Sequence, residues 1–489
     1  MIHVSNNKNW LEEVAEVIPS KKYLHDNNAQ INFFELYNTV INIASQLNFS
    51  GVAEKDKVGI LCENKKEFVE LVFALWLIGA IPVPMNIRNT AAEISDSINI
   101  INIKHLYIHK ELKDNFNFEA NSLQNYFPIE ASSAKQNLVL PSFSLKNIAL
   151  ILFTSGSTKK AKAVVHTFNS LFESTMLTVQ FSNLSENDKW LASLPFYHIG
   201  GFMIIVRSLI TGSSLFIPEG LKTKNIVSAM KLYNPTHISL IETVLQDILK
   251  NSLKPNSELK QLYLGGGPLS TKLCEKAISK GFPICKVYGS TETCSMISGL
   301  QPDKNPTKLN SVGLPLGDTQ IKIADSNGNI LGANQIGEIA IKSKSNFIEY
   351  YNEDEQTKSA LKDGYYYSSD YGFLDSDGYL YIENRREDIV ITGGENVNIT
   401  EVEDAILNIP EINDAFVFGE DDETWGQIIC GAIVLNIEID SETLIKTLKK
   451  SLAGYKIPKK FYFVTEIPRS ELGKVLRERL FSSLKSNEA

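Results

Sequence analysis

Apolar runs alternate with amphipathic stretches over most of this chain, the pattern of an α/β protein with substantially parallel sheets. Positions 64–79 repeat apolar residues at helical spacing and run into Ala80-Ile81-Pro82-Val83-Pro84, an extended piece stopped by prolines. The continuous apolar run Ile148-Ala149-Leu150-Ile151-Leu152-Phe153 predicts a buried strand. Further on, 190–195 and 213–218 predict strands flanking a helix over 201–210. Tyr263-Leu264 predicts a strand that ends in the tight turn Gly265-Gly266-Gly267-Pro268. From 313 to 382 the texture changes to short β-like segments with turn signals such as Asn327-Gly328 and Asp377-Gly378. The charged stretch Arg385-Arg386-Glu387-Asp388 then leads into a smaller unit, with helices predicted at 401–408 and 441–453 and strands at 415–418 and 431–435. The expected fold is α/β. A large N-terminal domain, 1–384, has parallel-type α/β layers and a β-rich subdomain at 313–382; a polar hinge joins it to a small C-terminal α+β domain, 385–489.

Composition narrows the function. At 489 residues, 43% hydrophobic and 21% charged, the chain reads as an ordinary globular protein of two or three domains. A formal net charge of −9 argues against nucleic acid as the main partner, because phosphate backbones call for a basic surface. Cys62, Cys274, Cys285, Cys294 and Cys430 are scattered without paired spacing, so they predict neither a zinc site nor a disulfide framework and fit a reducing cytoplasm. No basic segment leads into an apolar core at the start, so no signal peptide is expected. The longest apolar stretch, 68–83, is interrupted by Glu70 and Gly79 and reads as a core helix rather than a membrane span. The Lys/Asn/Ser-rich segment 110–137 reads as surface loops.

The chemistry concentrates after the strand at 148–153. Thr154-Ser155-Gly156-Ser157-Thr158 is followed by Lys159, Lys160 and Lys162. Small residues let backbone N–H groups converge, hydroxyls add donors and ammonium groups add charge, which suits a polyphosphate. The usual P-loop is absent, since Ala161-Lys162-Ala163 stand where Gly-Lys-Ser/Thr would be required. A solvated polar loop is the alternative reading of this stretch alone. Arg207 lies inside the apolar run 201–210, where a guanidinium either snorkels to the surface, joins a structural ion pair, or holds a buried anion.

The loop has company: Tyr288-Gly289-Ser290-Thr291-Glu292, Tyr367-Ser368-Ser369-Asp370, Asn384-Arg385 through Gly393-Gly394-Glu395-Asn396, and Gly473-Lys474. In this order and at these separations the chain resembles the adenylate-forming superfamily of acyl- and aryl-CoA ligases, peptide-synthetase adenylation domains and beetle luciferases. The resemblance covers essentially the whole chain. It implies a two-step reaction with ATP, Mg²⁺ and coenzyme A: a carboxylate attacks the α-phosphate to give acyl-adenylate and pyrophosphate, and a thiol then displaces AMP.

The same resemblance implies roles. Thr154, Ser155, Gly156, Ser157, Thr158 and Lys162 would hold the β/γ-phosphates. Glu292, with Thr158, would bind Mg²⁺. Tyr288 would lie against adenine, with Gly266, Gly267 and Gly289 allowing close approach and Thr291 donating to the α-phosphate. Asp370 would take the ribose hydroxyls and Arg385 would reach ribose and phosphate. Glu387 falls at the hinge position, and Gly393 and Gly394 on the face for CoA. Lys474, on its own an ordinary solvated lysine, would bridge carboxylate and α-phosphate during adenylation. His198, in Phe196-Tyr197-His198-Ile199-Gly200-Gly201, would shape the acyl pocket, which Gly289 would also line. His166 and His237 are read as structural. The loop departs from the family pattern at Lys159, Ala161 and Ala163, where Gly, Pro and Gly are usual.

Within the superfamily the chain looks most like the o-succinylbenzoate–CoA ligases of menaquinone biosynthesis. That resemblance gives Arg207 a substrate: a diacid with one carboxylate activated and the other clamped. Met296 stands where that subfamily commonly has Gln, which suits a greasier acid. A medium-chain fatty or aryl acyl-CoA ligase, or an enzyme loading a carrier protein, therefore stays open, as does a non-catalytic nucleotide-binding protein on the same fold. The partners expected are a carboxylic acid, ATP and CoA, with no nucleic acid and no integral membrane segment; oligomeric state, a homodimer included, is open.

Overall fold

The computed structural model describes residues 4, 7–27, 29–89, 91–116, 124–129, 138–154, 162–251, 253–266, 271–385, 389–392, 395–422, 425–452, 454–471 and 473–487. Local signals set its helices. Asn32 caps the helix Phe33–Phe49 through a reciprocal box, its side chain taking the Glu35 N–H while the Glu35 carboxylate takes the Asn32 N–H. The apolar stretch around 68–83 is the buried helix Lys66–Leu77 followed by the strand Ile81–Pro84. Trp76 fixes that helix in the core: its indole N–H donates to the Ala149 carbonyl at 2.7 Å, and its ring meets Trp10 and Phe168 edge-on. No helix among the described residues is long and apolar enough to cross a membrane.

The chain divides into two compact units, Met1–Ile321 with Ile341–Tyr367, and Lys322–Ala340 with Ser368–Ala489. This division falls upstream of the break expected after residue 384. In the first unit a nine-stranded sheet has a parallel interior, in the order Ile284–Ser290, Gln261–Leu264, His237–Leu240, Lys189–Leu191, Ser214–Phe216, Lys22–His25. A second sheet of four parallel strands runs Ile81–Pro84, Lys57–Leu61, His105–His109, Gln124–Phe127. The last of these strands, and the 3₁₀ turn Lys110–Asn115, lie in the stretch read from sequence as surface loops. The strand Ile148–Phe153 forms as expected, but it pairs antiparallel with Ala163–Thr167 in a separate three-stranded sheet.

In the second unit, a long hairpin turns its two faces to different layers. Strands Ile412–Asp422 and Gly426–Leu435 pair antiparallel, longer than the sequence suggested. Ala415 and Val417 face the helices Ile399–Leu407 and Ser441–Leu448; Phe416 and Phe418 pack with Leu480 and Leu484 of Arg477–Asn487. Strands and the helix Asp354–Ala360 occupy the stretch expected to be β-rich, which the two units share, and at its turn signals Gly328 and Gly378 take φ of +85° and +83°.

Candidate active site

The lysine-bearing loop is the connection of a β-hairpin. Phe153 pairs with Ala163 across the two strands, and beyond that pair the Thr154 N–H donates to the Lys162 carbonyl at 2.9 Å. Ser155, Gly156, Ser157, Thr158, Lys159 and Ala161 lie outside the described residues. Ala163 is a paired, buried strand residue without positive φ, so a Cβ there carries no backbone strain.

Lys162 connects the hairpin to Glu292. Its ammonium sits 4.8 Å from the centre of the Tyr350 ring, and the Tyr350 hydroxyl donates to Glu292 Oε1 at 3.0 Å. Tyr350 is buried and pairs with Val164, in register beside the hairpin. Burial and the neighbouring Glu292 charge push its phenol well above the ordinary range, so it stays a donor. Glu292 is 9% exposed with Oε1 occupied by Tyr350, which leaves Oε2 for a cation. No group of three or more His, Cys, Asp or Glu among the described residues could hold a metal ion. A lone carboxylate suits Mg²⁺ that arrives with nucleotide phosphates and keeps several waters.

His166 is structural, and its position explains how. Fully buried, it donates from Nε2 to the Thr291 carbonyl at 2.8 Å, so it braces the segment that carries Thr291 and Glu292. Burial lowers its pKa to about 4, the bond to Thr291 opposing, and the ring is neutral at pH 7. Neither His166 nor Tyr350 was legible as part of a site. They lie 125 and 58 residues from their partners, and only the pairing of the strands brings them together.

Tyr288, Gly289, Gly265 and Gly266 gather at the carboxyl ends of adjacent parallel strands, where open α/β sheets place ligands. A Cβ on Gly265 would stand 2.9 Å from Val287 Cγ2, and one on Gly289 only 1.9 Å from the Ser295 carbonyl oxygen, so both must be glycine for the strands to close. The Ser290 hydroxyl beside them is buried without a hydrogen-bond partner among the described residues. Gly267 lies outside the described residues.

His198 is the N-cap residue of the helix Ile199–Thr211, its ring 4.8 Å from that of Tyr197. Nine residues on, Arg207 is 1% exposed. It does not snorkel. Its guanidinium lies 5.5 Å from the Trp190 ring centre, and Nε and Nη2 have no hydrogen-bond partner among the described residues. Burial lowers its pKa to about 10, opposed by Tyr263 and Cys294, and it remains a cation at pH 7. Trp190 stacks on Tyr263 at 5.3 Å, whose hydroxyl meets Ser182. Met296 is buried opposite Gly289. A buried cation with unused donors calls for an anion or another acceptor to offset its desolvation.

The remaining positions belong to the second unit. Asp370 is buried, its N–H donating to Ser368 Oγ at 3.1 Å, and it stands directly opposite Arg385 in the hairpin ladder. Lys474 is exposed and follows Gly473, whose φ is +79°, in a turn closed by Ser470. Glu387, Gly393 and Gly394 lie outside the described residues.

A model of the AMP-binding enzymes matches residues 11–351, and one of the AMP-binding enzyme C-terminal domain matches residues 401–474. The 2-succinylbenzoate–CoA ligase of Geobacillus sp. (strain WCH70) is 33% identical over 485 residues, covering 98% of both chains. That of Bacillus cytotoxicus is 32% identical over 477 residues, covering 96% of this chain and 98% of its own. Among solved structures, Bacillus subtilis o-succinylbenzoate CoA synthetase (MenE) in complex with the acyl-adenylate intermediate has a TM-score of 0.91 at 29% identity, with 98% of both chains covered. The same enzyme with ATP and magnesium gives 0.90 at 29% identity, covering 97% of this chain and 99% of that one. The chain belongs to the AMP-binding enzymes, within the adenylate-forming superfamily.

Proposed function

We propose that this protein is an ATP-dependent o-succinylbenzoate–CoA ligase of menaquinone biosynthesis, acting through an acyl-adenylate. The observation that carries the choice of acid is Arg207, a buried cation whose Nε and Nη2 have no partner among the described residues. A second carboxylate on the substrate supplies the missing acceptor. The matching names of the relatives support the same acid.

In the first step a carboxylate oxygen attacks the α-phosphorus and pyrophosphate leaves. Thr154, Ser155, Gly156, Ser157, Thr158 and Lys162 hold the phosphates, and Glu292 with Thr158 holds Mg²⁺, which when bound neutralises phosphate charge. Tyr288 faces adenine, Gly266, Gly267 and Gly289 admit it closely, Thr291 meets the α-phosphate, and Asp370 and Arg385 take the ribose. Lys474 bridges the approaching carboxylate and the α-phosphate and neutralises their charge as they join. In the second step the thiol sulfur of CoA bonds to the acyl carbon and AMP leaves, with Gly393 and Gly394 on the CoA face. Residues 1–384 and 385–489 act as the two working domains, turning about Glu387. His198 and Gly289 shape the acyl pocket. The reducing cytoplasm fits five free, buried cysteines. A homodimer is the oligomeric state to test by sedimentation.

Met296 favours a second reading, an aryl or medium-chain monoacid ligase, because it is buried and apolar in the strand opposite Gly289. Thioester formation with Mg·ATP, CoA and a panel of acids separates the two. The expected result is turnover of o-succinylbenzoate, with Arg207→Met raising its KM at least about tenfold and leaving benzoate-type monoacids unaffected. Failure to release AMP with every acid of the panel overturns the enzyme; turnover of monoacids alone overturns the diacid clamp.

A further inference from the structure

One guanidinium ties the turn that presents Lys474 to the neighbouring sheet. Within the turn the Ser470 N–H donates to the Lys474 carbonyl at 2.7 Å, the Gly473 N–H to the Ser470 carbonyl at 2.9 Å, and the Lys474 N–H to Ser470 Oγ at 3.2 Å. These bonds lie within the turn, whose base is closed by the Arg469–Val475 bridge and by the Leu476 N–H donating to the Pro468 carbonyl at 2.8 Å; local bonds of this kind leave the tip to be aimed by longer-range contacts. Arg469 ties the loop to the sheet. Its Nη1 donates to the Gly473 carbonyl at 3.1 Å, and that peptide carries the Lys474 nitrogen. Its Nε and Nη2 donate to the two carboxylate oxygens of Asp414 at 3.2 and 2.7 Å. Asp414 is itself held: on the edge strand Ile412–Asp422 it pairs with Val434, and its Oδ1 also accepts the Ala415 N–H at 2.9 Å.

We propose that Arg469 is a positioning residue for adenylation, acting through Lys474 and touching no substrate. This rests on the ligase reading, in which Lys474 serves the first half-reaction. A rigid path runs from the sheet through Asp414 and the planar fork of Arg469 to the peptide that precedes Lys474. A lysine at 469 cannot copy this path, because one ammonium cannot bind both carboxylate oxygens side by side and also reach a carbonyl on its far side. The aim of Lys474 matters only while carboxylate and α-phosphate are being joined, so the effect is confined to that half-reaction.

The test uses the full chain and measures the half-reactions separately: ATP–pyrophosphate exchange with o-succinylbenzoate, and thioester formation from supplied acyl-adenylate and CoA. Arg469→Ala is expected to slow exchange roughly 10–100-fold and change thioester formation by less than about twofold. Arg469→Lys recovers at most part of the loss, and Asp414→Asn shows a smaller loss in the same half-reaction. Added to Lys474→Ala, Arg469→Ala costs nothing further, as expected for residues acting as a unit. Equal loss of both half-reactions, or unchanged exchange, overturns the proposal, since a general weakening of the unit would affect both. Should Arg469→Ala fail to fold, Arg469→Gln and Asp414→Asn probe the same link with the same two outcomes. An unmodified protein inactive with every acid would overturn the ligase reading instead. If o-succinylbenzoate alone fails, the exchange measurement moves to whichever acid is turned over.

Discussion

Glu292 owes its setting to Tyr350, a residue outside every motif that marks the site. The hydroxyl holds one carboxylate oxygen while the ring lies under Lys162, so a single side chain orients two charges of opposite sign. Tyr350→Phe keeps the ring and removes the bond. It is expected to weaken Mn²⁺ binding in the presence of ATP about tenfold, the usual cost of losing a partner behind a metal ligand, as read by electron paramagnetic resonance. Unchanged Mn²⁺ affinity would show that Glu292 needs no such support. At this scale the sequence displayed charged residues set inside short motifs: Glu292, Lys162, Asp370. It hid those that work across the fold. Nothing within several residues of Tyr350 or His166 signals their partners, because strand pairing alone creates the contacts. Arg207 was legible as an anomaly, a charge in an apolar helix; that its donors are unused is a property of packing.

Elements were legible where periodicity is local and less so where side chains replace the ladder. The strand expected over 190–195 stops at Leu191. Asn64 accounts for the difference: its amide donates to the carbonyls of Ala192 and Leu194, and its oxygen accepts the Phe196 N–H, so a side chain does the work of a neighbouring strand. The helix that follows begins at Ile199, against those same residues. A Cβ on Gly201 would lie 2.1 Å from the Pro195 carbonyl oxygen, an atom of backbone that cannot step aside, whereas one on Gly200 would meet only the flexible Leu194 Cδ1 at 3.2 Å. Gly201→Ala is therefore expected to destabilise the protein by about 2–3 kcal/mol in urea unfolding, with Gly200→Ala within about 1 kcal/mol. Similar losses from both would place the constraint in helix propensity instead of contact.

For the molecule as a whole, two deeply buried histidines set the acid limit of stability. His166 and His237 both have pKa values lowered by burial to about 4, opposed by the Thr291 carbonyl for the first and by Asp188 for the second. In the unfolded chain each returns to about 6.5 and binds a proton the folded state refuses. Their contribution is complete above pH 6.5 and is lost as pH falls toward 4, at about 3 kcal/mol for His166. Urea midpoints should fall through that window, and His166→Gln should flatten the decline even if it lowers stability at pH 7. A decline that begins only below pH 4 would assign acid sensitivity to carboxylates instead. The parallel layers, and a smaller unit of helices and strands after them, followed from pattern alone. The partner of the strand Ile148–Phe153 did not, because an apolar run fits a parallel or an antiparallel neighbour equally well.

The clasp between Thr154 N–H and Lys162 carbonyl has a bearing on how this sequence could diverge. A backbone bond is indifferent to side-chain identity, and it closes the hairpin at the last residues before the connection. Replacements at Lys159 and Ala161 fall wholly inside that boundary, and Ala163 fits the strand just outside it. Divergence at these positions is thus insulated from the ladder. Residues from relatives placed between the clasped positions are therefore expected to leave the register of the flanking strands unchanged.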